Sequence, residues 1–249
     1  ENHGTLNGVT LTSGRTGNEN TAYQFDGNGA SVNFHQPFFG GGQQDQFTFF
    51  VRVRYDDLSN DPNIWGKTLF WGEVNFESYS NGGFGFKCAN SLTGNKYSII
   101  RSDEGVLVEG EWVDLIVVFN QGSAQLYKDG EPLSTNLTWT AQGGNLISET
   151  EVDQSCNFSQ DNNSSMLGVR ISGGSPGRYL NGAIDDLALW DRALTTDEVA
   201  TIYSEDLSWP RDNETVVVDL MNPATGVTWM DRNLGASRVA TSYNDAEAY

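Results

Sequence analysis

Eight residues in polar stretches carry the chemistry of hydroxyl recognition. Asp57, Asp61, Asn63 and Trp65 fall in the loop-like run 56–65, and Tyr79 and Asn81 in a second polar segment. Trp139 and Asn145 belong to the stretch 134–165, rich in Ser, Thr, Asn and Gln. Aromatic rings stack on the apolar faces of sugars, and Asn and Asp side chains bond their hydroxyls. Packing in a core or strand is the other reading of each tryptophan. As a set, the eight outline a recognition surface on loops. Catalytic patterns are poor by comparison. The two histidines, His3 and His35, both sit in turn-rich polar surroundings. The string Gly173-Gly174-Ser175-Pro176-Gly177 reads as a turn between strands rather than a nucleophile elbow between a strand and a helix, and neither zinc-ligand spacing nor a glycine-rich phosphate loop before a helix is present. Gly40, Gly41 and Gly42 read as a plain loop.

The elements that must position these residues are strands. Phe47, Phe49, Val51, Val53 and Tyr55 alternate with other residues and predict one core-facing edge of a strand. Further strands are expected at 30–34, 67–71, 83–88, 97–100, 106–108 and 166–171. Residues 111–120 and 124–130 predict a hairpin, with a tight turn at Asp129-Gly130 at its far end. From Gly182 the chain alternates again: Ile184, Asp186, Ala188 and Trp190 on one side, Asp185, Leu187, Leu189 and Asp191 on the other. The period then changes. Thr195 and Glu198, three residues apart, form a capping box, and Leu194, Glu198, Ile202 with Val199, Tyr203 follow helical spacing from near Thr196.

A closing strand that runs through Asp191-Arg192-Ala193-Leu194 into a capped short helix resembles the laminin-G-like, concanavalin A-like jelly-roll domains. The phrase Gly14, Arg15, Gly17, Ala22, Phe25, Asp26, Gly27 resembles the opening of the same family, and Trp112 through Tyr127, Asp129 and Gly130 its hairpin signature. The resemblance implies an all-β sandwich of two antiparallel sheets over residues 1–207, with one short helix near its C-terminal end. It assigns Trp112 and Trp190 to the framework. Residues 208–213 read as a linker, and 214–249 resemble the start of a Fibrobacter succinogenes major paralogous domain through Trp229, Met230, Asp231, Arg232, Asn233, Leu234 and Gly235. A piece so short would struggle to bury a core alone.

The same resemblance carries a structural calcium ion onto Asp26, Gly27 and Asp185, with Asp186 as the alternative ligand. Calcium takes six to eight oxygens, which carboxylates and loop carbonyls supply. Turn capping by the same carboxylates is the alternative. Glu73, Asn75 and Glu77 resemble the Glu-x-Asp-x-Glu strand of laminarinase-type glycoside hydrolases, which share the fold. Asn75 replaces the central Asp, so no catalytic residue is expected, and Glu151 with Asp153 matches less well.

Composition frames the partners. The net charge of −19 argues against nucleic-acid backbones and anionic membranes. No apolar run is long enough to span a bilayer, so no membrane insertion is expected. Cys88 and Cys156 permit one disulfide, or two buried thiols. The expectation is a non-catalytic extracellular or cell-surface module, recognising surface or matrix glycans or other surface proteins. The rivals are a structural subunit of a filament, adhesin or virion appendage, and a degenerate glycoside hydrolase.

Overall fold

Alternation builds the sandwich. In β6 (Gln46–Asp57) the residues Phe47, Phe49, Val51, Val53 and Tyr55 all lie in the core, while Arg52 between them meets carboxylates on the outer side. The computed structural model describes residues 4–34, 42–68, 73–89, 96–141, 155–158, 165–172, 175–204, 220–221 and 228–229. One sheet runs β1 (Gly4–Asn7), β4 (Ser31–Phe34), β16 (Ser165–Leu167), β7 (Asn63–Thr68), β8 (Glu73–Ser78), β9 (Phe84–Ala89), β10 (Lys96–Ser102), β14 (Thr135–Ala141). The other runs β13 (Glu131–Pro132), β12 (Ser123–Lys128), β11 (Trp112–Asn120), β6, β19 (Asn181–Trp190), β3 (Ala22–Asp26), β2 (Thr10–Thr12). Two short antiparallel pairs complete the strands of this unit: β5 (Gln43–Gln44) with β15 (Cys156–Asn157), and β17 (Arg170–Ser172) with β18 (Ser175–Gly177).

The core between the sheets is aromatic. Phe49 lies 4.4 Å from Phe76 and 5.5 Å from Trp65, and Phe47 lies 5.1 Å from Phe119, centroid to centroid. Such contacts contribute about 0.5–1.5 kcal/mol each beyond the area they bury. Cys88 and Cys156 form a disulfide with a Cα–Cα distance of 5.4 Å, tying β9 to β15. The jelly-roll expectation holds, as do the capped helix α1 (Thr196–Ser204) and the Asp129-Gly130 turn, where both residues have positive φ.

Several local expectations give way. Residues 106–108 form no strand; Leu107 instead plugs the core from a loop, its N–H donating to the Gly82 carbonyl. The loop expected over 56–65 ends early, because β7 begins at Asn63. Residues 166–171 are not one strand: Gly168, with φ +79, breaks them, and any Cβ there would strike the Phe25 ring. The alternation of β19 is interrupted too. Ile184 pairs with Val53 and Leu187 with Val51, so β19 carries one extra residue at Asp185-Asp186. Ile184, Leu187 and Leu189 therefore all reach the core, and both aspartates turn outward.

The chain divides into two units, Glu1–Tyr203 and Ser204–Tyr249. In the second, Leu220–Met221 (β20) and Thr228–Trp229 (β21) pair antiparallel.

Candidate binding site

The outer face of the eight-stranded sheet is laid out in rows. Val74, Phe76, Phe86, Cys88 and Ile100 point into the core, which sends the residues between them outward. Register then aligns Asn63, Glu77, Gly85 and Arg101 across β7 to β10. The neighbouring row is Gly66, Asn75, Lys87 and Ile99. A groove of about 380 Å³ opens over these rows, lined by Glu77, Lys87, Ile99 and Arg101 from β8 to β10, by Arg170 from β17, and by Asp61, Tyr79 and Arg178 from the connections.

Gly85 shapes the centre. A Cβ there would lie 2.8 Å from the Tyr79 hydroxyl, so the missing side chain lets Tyr79 fold over β9. Tyr79 then joins both flanks. Its hydroxyl donates to Glu77 Oε2 at 3.2 Å and accepts from Arg101 Nε at 3.1 Å. The Arg101 guanidinium also sits 4.6 Å from the ring centroid. Burial, and next the Glu77 charge, push the Tyr79 hydroxyl well above its usual range, so it stays a proton donor at neutral pH.

The mouth is held by strained backbone. Asp61 (φ 48) and Arg178 (φ 52) are two of five non-glycine residues with positive φ among the described residues. Left-handed residues of this kind cost free energy and concentrate at functional sites. Asp61 Oδ1 accepts from the Ser80 N–H at 2.7 Å, and the Arg178 carbonyl from the Asn63 N–H at 2.9 Å. Arg178 reaches to 3.8 Å from Asp61 and 3.9 Å from Glu77.

Of the eight residues expected in a recognition surface, Asp61 and Tyr79 line the groove. Asn63 lies beneath it, buried, with Nδ2 donating to the Val169 carbonyl. Trp65 is a core residue at 1% exposure, which settles its packing reading. Asp57 lies on the other sheet and caps the Ser59 N–H. Asn81 accepts from Gly83 N–H and donates to Glu104 in an exposed turn. Trp139, on β14, pairs in register with Ser98 of β10, and its side chain lies outside the described residues, as does Asn145. Lys87, Arg101, Arg170 and Arg178 escaped the sequence reading, although the outward alternation of β9 and β10 marks two of them.

The trio Asp26, Gly27 and Asp185 does not converge on one ion. Asp26 pairs with Asn181, and Asp185 lies four residues further along β19, roughly 13 Å away at strand rise. Asp26 Oδ1 accepts from the Ala30 and Asn28 N–H groups, which hold its carboxyl below the usual range. Gly27 donates to the Leu180 carbonyl, and Asp185 accepts from the Arg15 N–H at 2.9 Å. Asp186, the alternative ligand, is engaged by Arg52 at 3.0 Å. Asp26 and Asp185 thus accept from turn and loop N–H groups, and Asp186 stands in an ion pair. Among the described residues no group of three or more His, Cys, Asp or Glu could hold a metal ion.

Two sheets closed over one aromatic core, with a polar groove on an outer face, are the frame in which the sequence profile of the concanavalin A-like lectin/glucanases superfamily matches residues 26–200. The chain belongs to that superfamily. No curated protein matches it. Solved structures share the fold at low identity. Domain 4 of AbnA, an extracellular arabinanase from Geobacillus stearothermophilus solved with arabinotriose, matches with TM-score 0.53 and 14% identity over 80% of this chain and 87% of that one. The binding domain of Paraclostridial Mosquitocidal Protein 1 matches with TM-score 0.60 and 14% identity over 82% of this chain, which spans 48% of the toxin domain. A pentraxin from Limulus polyphemus matches with TM-score 0.50 and 19% identity over 72% and 80% of the two chains. No helix among the described residues is long and apolar enough to cross a membrane.

Proposed function

We propose that residues 1–207 are a non-catalytic carbohydrate-recognition module of an exported protein, which takes its ligand in the groove over β8 to β10. The observation that carries this reading is the arrangement of Tyr79, Glu77, Arg101 and Arg178: a concave site whose polar groups are fixed before any ligand arrives. The complex of arabinotriose with an arabinanase domain of this fold lends the ligand class plausibility by analogy alone. Export is supported by the disulfide, which persists in oxidising compartments. Absence of catalysis is supported by Asn75 at the centre of the carboxylate strand and by Glu77 being engaged by the Tyr79 hydroxyl. Residues 208–213 then serve as the linker to a second domain that starts at 214.

One observation favours a structural module instead. Leu11 (55% exposed) and Tyr23 (38% exposed) face each other across β2 and β3 at the sheet edge, an apolar pair suited to a contact between subunits. A glycan array probed with the full chain separates the readings. Specific binding weakened at least about tenfold by Arg101→Ala or Tyr79→Ala supports the groove. Silence on the array, with self-association that Leu11→Lys abolishes, would replace recognition with assembly.

A further inference from the structure

Among its described lining residues the groove carries a charge opposite to that of its protein. Of 14 Lys and Arg in a chain of net charge −19, four line this one cavity, against two carboxylates. The two carboxylates are already committed. Glu77, 4% exposed, accepts from Tyr79 and faces Arg178, and Asp61 accepts from the Ser80 N–H and faces Arg178 from the other side. They orient cations, and the described lining residues count four cations to these two carboxylates. Arg101 uses its Nε on Tyr79, with its plane braced against the Tyr79 ring. Its two terminal nitrogens are the pair that a planar anion meets in a fork. Arg178, at positive φ, is fixed beside the groove by its carbonyl, which accepts from the Asn63 N–H.

Resting on the carbohydrate reading above, we propose that the ligand is an acidic saccharide, whose carboxylate or sulfate is received by Arg101 with Lys87 and Arg178 around it. The ligand is short, or carries its acid at one position. The net charge of −19 repels a long polyanion, whereas a single anionic sugar feels chiefly the local cations. Ile99 offers the apolar patch on which a sugar face rests, one register row from Arg101.

The test is calorimetric titration of the full chain with a tri-uronide, its methyl ester, a sulfated disaccharide and a short oligoglutamate. Binding of the uronide or the sulfated sugar, weakened at least about tenfold by esterification and equally by Arg101→Gln, upholds the proposal. Whichever acid binds identifies the source of the anion. Lys87→Gln provides a second, milder variant, and Thr195→Ala, at the helix cap against the other sheet, leaves affinity unchanged. Equal binding of acid and ester overturns the acidic ligand while the carbohydrate reading survives. Binding of oligoglutamate alone overturns both in favour of an acidic peptide. No binding by any of the four, while neutral glycans on the array bind, overturns the charge argument; silence on the array as well removes the recognition module with it.

Discussion

Arginine and carboxylate meet on the outer face of each sheet, and they do so differently. On the seven-stranded sheet Arg52 grips Asp114 with two nitrogens, at 2.7 and 2.9 Å, and reaches Asp186 at 3.0 Å. Arg15 adds a contact to Asp114 at 3.1 Å, and its backbone N–H donates to Asp185. Arg52 and Asp114 are 2% and 1% exposed, and carboxylates outnumber cations. On the eight-stranded sheet Arg178 stands 3.8 and 3.9 Å from its carboxylates at 37% exposure, and cations outnumber carboxylates. The first cluster is saturated. It pins the turn around Gly14 to the sheet, where a Cβ on that glycine would lie 2.5 Å from Asp185. The second is looser, with Arg178 held at the longer range. The same residue types build a rivet on one face and the proposed receptor on the other, and burial separates the two.

Breaking the rivet has the largest expected effect. Asp114→Ala strands Arg52 in a buried site without its fork partner and should cost about 3–5 kcal/mol in denaturant unfolding. Arg178→Ala, removing an exposed and loosely paired cation, should stay within about 1 kcal/mol. Similar losses for the two would erase the contrast. The disulfide comes next. Its loop of 68 residues in sequence predicts a loss of about 4 kcal/mol for the Cys88→Ser, Cys156→Ser double variant. Cys88 neighbours Lys87 on β9, so hydrogen exchange should rise first in β9 and β10 and last around Arg52. Uniform loss of protection would show that the two faces unfold as one.

Much of this architecture was legible in the sequence. Alternation in β6 exposed its core face, the hairpin of β11 and β12 was read with its Asp129-Gly130 turn, and the Thr195–Glu198 box stood where its chemistry required. The bulge in β19 was not legible, because strict alternation through Asp185 and Asp186 reads as well as the shifted register; only pairing with β6 reveals the extra residue. Trp65 looked like a loop platform because polar residues precede it. Yet its partners Phe49 and Phe158 come from distant segments, and local pattern cannot supply them. The groove itself is a property of register. Glu77, Gly85 and Arg101 share a row only once three strands are aligned, and Arg178 joins from a connection far along the chain.

Gly85 offers a smaller perturbation that bears on the receptor alone. Its added Cβ would sit 2.8 Å from the Tyr79 hydroxyl and 3.0 Å from the Ile100 carbonyl. Gly85→Ala should therefore displace Tyr79 and release Arg101 from its brace. The expected stability loss is about 1–3 kcal/mol for overpacking, with groove affinity falling more than that of Tyr79→Phe. Unchanged affinity would mean that Tyr79 does not position Arg101 for the ligand.

The smallest expected effect lies at the helix beside the rivet. Arg15 lies under the Tyr203 ring at 5.7 Å, so α1 helps to cover the saturated cluster. The helix begins with reciprocal bonds, Glu198 N–H to Thr195 Oγ1 at 3.2 Å and Thr195 N–H to Glu198 Oε2 at 2.9 Å, and Arg192 forks onto Glu198 at 2.8 Å. Thr195→Ala should cost about 1 kcal/mol. Arg192, and then the Thr195 N–H, hold the Glu198 carboxyl down at about 2, against an ordinary 4.5. A depressed carboxylate stabilises the fold above its unfolded value, and that contribution fades as pH falls from about 4.5 through about 2. The melting-temperature gap between wild type and Glu198→Gln should thus be full at pH 6 and close toward pH 2. It should also narrow in high salt, because the fork is exposed. A gap indifferent to pH would assign the cap to hydrogen bonding without charge, and would leave the buried Arg52 cluster as the charge-dependent fastening to which α1 contributes only cover.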